Sequence, residues 1–573
     1  MDTEIQPTPE GLTRAEAIKA ASRHLRGAIK QELGEATPAF TEESAAILKF
    51  HGIYQQDDRD RRREARRLGL DKHHMMMIRT RIPGGQVTPD GYLAHDAIAS
   101  AWGNDTLRIT TRQCFQTHGV LKGDLHSAVH AINAALMTSL GGCGDQVRNI
   151  MSCPAPAISP FSDAANAYLR DLVAALTPQT RAYHEIWVDG DLVHSGAPDG
   201  ESEPLYGEQY LPRKFKVAVA VDGDNCVDIH ANDLGFVIFP REDGAVAGVN
   251  VLVGGGLGRT HNKPETYPLA SVPMAFVEPD QVVPVARAVV TVQRDFGDRT
   301  NRRHARLKYL IADRGLDWFR DQVRARLEFD LAPPRAMTWK PVDDHLGWHE
   351  RGDGRLYHGL FVENGRIQDG PDGRLRSALR QIVAELRTPV RLTAQQNLIL
   401  ESIARGDRDR VDEILAAHSV ARAEDIPQTL RNSMACPAYP TCGLAVAEAE
   451  RLLPSLIREI ALLIDGLGLS GERISYRMTG CPNGCARPYL GDVGFVGTTL
   501  GKYDVYLGGD FEGTRLNTLY AHNVPAAEIT ALLEGPLRQF RSERRAGEGF
   551  GNWVHRVGVD DLRGLHGVPA VMA

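Results

Sequence analysis

The chain is 573 residues long, 42% hydrophobic and 24% charged, with a formal net charge of −7. At roughly 150 residues per domain this is about four domain-sized units, and the balance excludes a mainly disordered or fibrous protein. The mild acidity argues against bulk nucleic-acid binding, no uncharged apolar run reaches the ~18 residues of a membrane span, and the opening MDTEIQPTPEG lacks the apolar core of a secretory signal.

Residues 1–75 read as an N-terminal arm, with a helix expected over 14–33. Within it, RDRRREARR interleaves acids with bases, which suits a solvated helix face better than a polyanion site. A repeat follows. LRITTRQCFQT (107–117) shares Arg, Thr and Gln at the second, fourth and seventh places with VRLTAQQNLIL (390–400), and RNIMSCPA (148–155) matches RNSMACPA (431–438) at six of eight positions. Both pairs are 283 residues apart, so the chain reads as an internal duplication with two similar halves about a pseudo-two-fold axis. The period is too long for a solenoid. NDLGFV and VLVGGG (232–256) echo GDVGFV and VYLGGD (491–510). Strands are expected over 107–115 and 215–221, and a long helix over 445–467, bent at Pro454. The fold class is α+β, with mixed sheets covered by helices.

Eight cysteines are too few for a disulfide scaffold, and the expected compartment is the reducing cytosol, where grouped cysteines serve metal or redox chemistry. Cys114, Cys143, Cys153 and Cys226 are scattered and read as packing thiols. Cys436, Cys442, Cys481 and Cys485 form C-x5-C, 38 intervening residues, then C-x3-C. Four thiolates can hold a [4Fe–4S] cluster, and the five-residue gap fits poorly to structural zinc, which remains the alternative. Cys436 has a repeat partner in Cys153, but Cys442 maps onto Ser159. A redox centre is therefore expected only in the second half. Gly466-Leu-Gly-Leu-Ser-Gly471 has the dinucleotide G-x-G-x-x-G spacing, but it follows a helix and precedes a strand, the reverse of that fingerprint's context. It reads as a glycine helix terminus, so electrons have to come from a partner.

ACPAYPTCGLAVAEAERLLP together with MTGCPNGCARPYLGDVGFVG resembles the sirohaem and [4Fe–4S] family of sulfite and nitrite reductases. The resemblance runs through FHGIYQQDDRD, IRTRIPGG, TTRQCFQTHGV, LPRKFK, HANDLGFV, LVGGGLG, QRDFGDRTNRR and AGEGFG, essentially everything after about residue 45. HGIYQQDDRD and LPRKFK point to the sulfite-reducing haemoprotein (beta-subunit) branch. The resemblance implies Cys436, Cys442, Cys481 and Cys485 as cluster ligands, with Cys485 bridging to sirohaem iron. It implies Arg79, Arg148, Lys214 and Lys216 as substrate cations, the two lysines sharing a face if they lie on a strand. Arg112, Gln116 and His118 match cofactor positions, with Arg306, Lys308 and Asn483 as weaker candidates. The implied activity is assimilatory six-electron reduction of sulfite to sulfide, with nitrite as the alternative substrate. The implied donor is an NADPH-oxidising flavoprotein (alpha) subunit, with ferredoxin as the alternative, and a non-catalytic zinc protein is the remote one. Domains follow the repeat: the arm (1–75), a discontinuous ferredoxin-like domain (76–140 with 342–418), a sirohaem and substrate domain (141–341), and a [4Fe–4S] and sirohaem domain (419–573), around a central sirohaem site.

Overall fold

The computed structural model describes residues 11–157, 160–179, 185–188, 191–195, 203–241, 243, 245–341 and 344–570; Ser159 lies outside the described residues. The sequence repeat is a repeat of structure. Strands Ile53–Asp57, His74–Arg79, Phe115–Val120 and Leu107–Ile109 form one five-stranded sheet, whose fifth strand, Arg366–Ile367, comes from the other half. Gly347–Glu350, Leu356–Leu360, Leu398–Ile403 and Val390–Leu392 form its counterpart, completed by Gln86–Val87 from the first half. Each sheet thus borrows an edge strand, and one apolar core is shared between both, with Ile109 and Phe115 packed among Leu379, Val390 and Leu398. The strand Ile53–Asp57 pairs along its whole length with His74–Arg79, so the boundary expected at residue 75 cuts across a sheet edge.

The residues shared by the repeat do the same work twice. Thr110 Oγ1 accepts from the backbone N–H groups of Arg112 and Cys114, each at 3.2 Å. Thr393 Oγ1 accepts from those of Gln395 (3.2 Å) and Asn397 (3.0 Å). Gln113 and Gln396 sit in left-handed turns, with φ of 52° and 72°. The Gln113 amide clamps both backbone groups of Ser152 (2.9 and 3.0 Å), and Gln396 donates to the Ala435 carbonyl at 2.9 Å. These turns correct the expected continuous strand over 107–115. The strand stops at Ile109 and restarts at Phe115, so Arg112 lies in a turn, off the strand face that carries Gln116 and His118.

The second pair of sheets also repeats. Met151–Ser152, Val217–Val221, Leu234–Pro240, Val246–Val253 and Val272–Val277 are adjacent in that order, and Ser433–Ala435, Tyr476–Thr479, Val493–Thr499, Lys502–Leu507 and Thr518–Pro525 follow the same order. In both, the first two pairings are parallel and the rest antiparallel. Val217–Val221 (VAVAV) is almost wholly buried, as a central strand covered on both faces requires.

Two expected helices are shorter in fact. The segment 14–33 splits into Arg14–Ala21 and Ile29–Leu33, because Arg23, His24 and Leu25 take left-handed conformations (φ 49° to 63°). The expected helix over 445–467 runs only over Leu453–Gly466. Pro454 occupies its first turn, where the missing N–H costs nothing, so it starts the helix rather than bending it. Residues 443–452 form an irregular loop whose amides reach Gly480 and Cys436: Val446 N–H donates to Gly480 O at 2.8 Å, and Glu450 N–H to Cys436 O at 3.2 Å. GLGLSG is the helix terminus it was read as, with Gly468 at φ +66°. The RDRRREARR segment forms the helix Arg62–Arg67, which has no buried residue. Among the described residues, no helix is long and apolar enough to cross a membrane.

Candidate active site

The four cysteines of the second half leave the ends of parallel strands. Cys436 follows Ser433–Ala435 directly, and Cys481 and Cys485 follow Tyr476–Thr479. Gly480, between strand and turn, donates its N–H to Cys436 Sγ at 3.5 Å. A Cβ there would stand 2.4 Å from Ala447 O and 2.5 Å from Ala438 Cβ, so only glycine lets the two cysteine loops close. Asn483 Nδ2 donates to Cys481 Sγ at 3.4 Å. Burial, and then the neighbouring Cys485, push the Cys481 thiol up to about 12 and raise the Cys442 thiol; Cys436 is driven well above its ordinary value by burial, Cys485 and Cys481. Such thiols become thiolates only when a cation compensates them. Among the described residues, the group of three or more His, Cys, Asp or Glu donors within 4.8 Å of one another is a different one, described below. No three of these four sulfurs lie within 4.8 Å of one another, a wider spread than one tetrahedral ion spans.

Cys485 is exposed. Thr111 Oγ1, in the 110–114 turn, donates to Cys485 O at 2.9 Å, and Arg259 N–H donates to Pro482 O at 2.8 Å. The 481–485 turn therefore touches the TTRQC turn on one side and the end of the LVGGGLG loop on the other.

The four expected substrate cations come from three separate segments of the first half. Arg79 ends its strand, and its Nη1 lies 3.3 Å from Cys143 Sγ. With the Gln116 amide oriented so that its oxygen faces Arg79, it accepts from Nη2 at 2.5 Å and Nε at 3.2 Å. Arg148 Nε donates to Gly144 O at 3.2 Å. Lys214 and Lys216 flank Phe215, which makes a single bridge to Val147, so they share a face on an extended segment just before the strand Val217–Val221. Burial, then Arg148, Arg306 and Arg213, bring Lys214 down to about 7. Burial, Lys214 and Arg112 press Lys216 well below its ordinary value. Ammonium and guanidinium groups crowded in this way make a ready anion site.

The expected cofactor residues divide into two sets. Arg112 donates to Asn232 Oδ1 (3.0 Å), Val217 O (3.2 Å) and Asn149 O, while its buried Nε has no partner. His118 Nε2 lies 3.4 Å from the Gln116 amide, and its Nδ1 is buried and unpartnered. Burial, then Arg366 and Arg108, keep this imidazole well below its ordinary range, so it is neutral. Arg306 and Lys308 are already engaged. Arg306 forms a buried pair with Asp233 at 2.8 Å, and Lys308 Nζ donates to Gly256 O and Gly258 O (each 3.0 Å) and to Tyr267 O. These two brace the glycine loop from behind.

The sequence profile described as "Nitrite and sulphite reductase 4Fe-4S domain" matches the chain over residues 171–331 and again over 428–568, and the profile described as "Nitrite/Sulfite reductase ferredoxin-like half domain" matches residues 68–135. The chain belongs to the nitrite and sulphite reductase 4Fe-4S family. It is similar to the "Sulfite reductase [NADPH] hemoprotein beta-component" of Shouchella clausii, at 44% identity over 97% of this chain and 97% of that one. It is similar also to the "Sulfite reductase [ferredoxin]" of Synechococcus elongatus, at 43% identity over 98% and 92%. In fold it resembles the NirA protein of Mycobacterium tuberculosis, with a TM-score of 0.75, 24% identity and coverage of 97% and 98%.

The residues fit the family's groups. Four thiols too widely spaced for one ion suit a cluster, and buried unpartnered donors on Arg81 (Nε and Nη2), Arg112 and His118 suit a polycarboxylate haem such as sirohaem. Reading the sequence missed several residues on which this site depends. Fully buried Arg108 donates to Glu450 and, at 2.7 Å, to Ala435 O beside Cys436. Asp233 accepts from Lys216 N at 2.8 Å as well as from Arg306. Asp228 pairs with Arg477 and Arg487. Cys143, expected as a packing thiol, touches Arg79 and the Tyr54 hydroxyl; although burial opposes it, Arg148 and Arg79 bring its thiol down to about 7. Arg108 did carry a signal, since it is the Arg repeated at 391. Asp233 carried one too, as the Asp shared by NDLGFV and GDVGFV, although its partner Arg306 lies 73 residues away; Asp228 carried none, its partner Arg477 lying 249 residues away.

Proposed function

We propose that this chain is an assimilatory sulfite reductase haemoprotein that reduces sulfite to sulfide in the cytosol. The carrying observation is the hydrogen bond from Thr111 to the Cys485 carbonyl at 2.9 Å, which joins the four-cysteine set to the first-half turn that carries Arg112. We assign Cys436, Cys442, Cys481 and Cys485 as the [4Fe–4S] ligands, with Cys485 shared with sirohaem, and Arg112, Gln116, His118 and Asn483 as cofactor contacts. When bound, sirohaem and the cluster supply six electrons one at a time. Arg79, Arg148, Lys214 and Lys216 bind the sulfite oxygens and neutralise their charge. Sulfite reduction to hydrosulfide consumes seven protons and releases three waters, so the pocket must also deliver protons. Lys214, brought to about 7, can give and regain a proton at Nζ near neutral pH. The Gln116 amide holds Arg79 in place through two hydrogen bonds. The domain division given above, with the strand Ile53–Asp57 counted in the ferredoxin-like domain whose sheet it joins, and with the substrate pocket between the repeated units, is part of the same proposal.

The G-x-G-x-x-G spacing at 466–471 is a helix terminus, and an NADPH-oxidising flavoprotein subunit is the donor we assign. The similar ferredoxin-named relative makes ferredoxin the second reading. Steady-state turnover of the holoenzyme with reduced viologen tests the substrate assignment: kcat/KM for sulfite should exceed that for nitrite, and the reverse order would overturn it. Lys214→Met and Lys216→Met should each lower sulfite turnover by about 10²–10³-fold while leaving the haem spectrum in place. Full activity in both would refute their roles.

A further inference from the structure

Outside this site, two of the thiols expected to be mere packing converge with a carboxylate and an imidazole. Cys153, Asp224, Cys226 and His345 each offer one ligand atom, and all four atoms lie within 4.8 Å of one another. Cys153 Sγ is 3.2 Å from Asp224 Oδ2 and 4.0 Å from His345 Nε2, and His345 Nε2 is 3.8 Å from the same Oδ2. A tetrahedral zinc ion with bonds of ~2.0–2.3 Å has ligand–ligand edges of about 3.3–3.8 Å. The separations of 3.2, 4.0 and 3.8 Å straddle those edges, so a small inward movement closes the set on one ion.

The donors are held from behind. Asp224 Oδ1 accepts the Cys226 N–H at 2.8 Å, which leaves Oδ2 facing the sulfurs. Asp344 and His345 both take left-handed conformations (φ 50° and 57°), and the Asp344 carboxylate is fixed by Thr393 (2.6 Å) and Asn397 (2.8 Å). The His345 carbonyl packs so closely on Gly359 that a Cβ there would lie 2.0 Å from it. These contacts place the imidazole, from the start of the second half, over the thiols of the first.

The duplication supplies a second, independent argument. Cys153 follows Met151–Ser152 and Cys226 follows Val217–Val221, and these strands pair in parallel. In the other half, Cys436 and Cys481 follow the equivalent parallel pair, Ser433–Ala435 and Tyr476–Thr479. Both halves thus carry a cysteine beyond each of the same two strand ends. In one half the thiols open toward further cysteines at wide spacing; in the other they close on His and Asp at single-ion spacing.

We propose that Cys153, Cys226, His345 and Asp224 bind one Zn²⁺, a structural site that pins the first-half hairpin to the segment opening the second half. Binding exchanges the two S–H bonds for Zn–S bonds and frees the His345 nitrogen that ligates the ion, every displaced proton going to solvent, with no change of oxidation state. The test is metal analysis of the holoenzyme, with zinc and iron measured in the same sample. About one zinc per chain is expected in the unaltered protein. In Cys226→Ser and Cys153→Ser, zinc should fall at least tenfold with iron per chain unchanged, which separates this site from the cofactor site. Zinc-edge X-ray absorption of the unaltered protein, which needs no variant to fold, should give two sulfurs at ~2.3 Å and two lighter ligands at ~2.0–2.1 Å. Protein from zinc-replete cells that carries no zinc, zinc retained in both variants, a zinc edge with no sulfur, or a Cys153–Cys226 disulfide in the peptide map would each overturn the proposal.

Discussion

Glu450 ties three parts of the molecule together directly behind Cys436, and replacing it should loosen the cluster site without touching a ligand. Its carboxylate accepts from Arg108 of the first half and from Arg366 Nε (2.7 Å) and Nη2 (3.0 Å) of the second, while its N–H donates to Cys436 O at 3.2 Å. Burial alone would raise this carboxyl, but Arg108 and Arg366 hold it below its ordinary value. Each guanidinium at about 4 Å gives ~4 kcal/mol of attraction at an effective dielectric of about 20, and desolvation of the three groups offsets much of it. Removing the acid leaves Arg108, fully buried, without its counter-charge, a change that costs ~3–5 kcal/mol. At about 1.4 kcal/mol per decade, Glu450→Ala should open the strand Ser433–Ala435 roughly 10²–10³-fold more often. Amide hydrogen exchange of that strand reads this directly, and the rate of cluster bleaching in mild urea should rise with it. Because the folded carboxyl is depressed, the Glu450 contribution is present above the ordinary carboxylate range and fades as pH falls through the folded value. The difference between the unaltered protein and Glu450→Gln should therefore shrink in acid. A paired Arg108→Met and Glu450→Leu variant should recover part of the loss, since an apolar pair leaves no buried charge. Unchanged exchange in Glu450→Ala would refute the reasoning.

Three further substitutions probe the same frame. Gly480→Ala has no room against Ala447 O and Ala438 Cβ; a cost of ~1–3 kcal/mol should appear as lower iron and acid-labile sulfide per chain, while Gly471→Ala, with nothing within 4 Å, should match the unaltered protein. Arg59, from the arm, donates to Cys442 O (3.1 Å) and Ala445 O (2.5 Å) and stacks on Tyr439 at 4.6 Å. Arg59→Ala should cost ~1.5–3 kcal/mol and speed cluster loss under oxygen at unchanged initial iron content; equal loss rates would count against the arm as a clamp. Asp233→Asn removes the counter-charge of buried Arg306 and should cost ~3–5 kcal/mol, read as faster exchange of the amides in residues 254–258, with a raised KM for sulfite because Lys216 is anchored by the same carboxylate.

What the sequence disclosed and what it hid divide along a physical line. The duplication was legible because its repeated residues act within a few positions of themselves: Thr110 and Thr393 bond to amides two and four residues on, and Gln113 and Gln396 take the same left-handed turn. The four-cysteine set was legible as a set because its spacing stands in the sequence itself. The strand expected over 107–115 failed at the same repeated turn, whose shared Thr and Gln were visible as letters but whose positive φ was not. The counter-ions were hidden for a different reason. A cation that must meet a substrate or cofactor is kept in a recognisable local motif, as in PRKFK. The acid that balances it can come from anywhere the fold brings near, as Asp233 does for Arg306 and Glu450 for Arg108. The same asymmetry hid the second thiol site. Cys153 and Cys226 looked solitary because their partner His345 lies 192 residues beyond Cys153, and only the packing of one half against the opening of the other makes four scattered side chains a single set of donors.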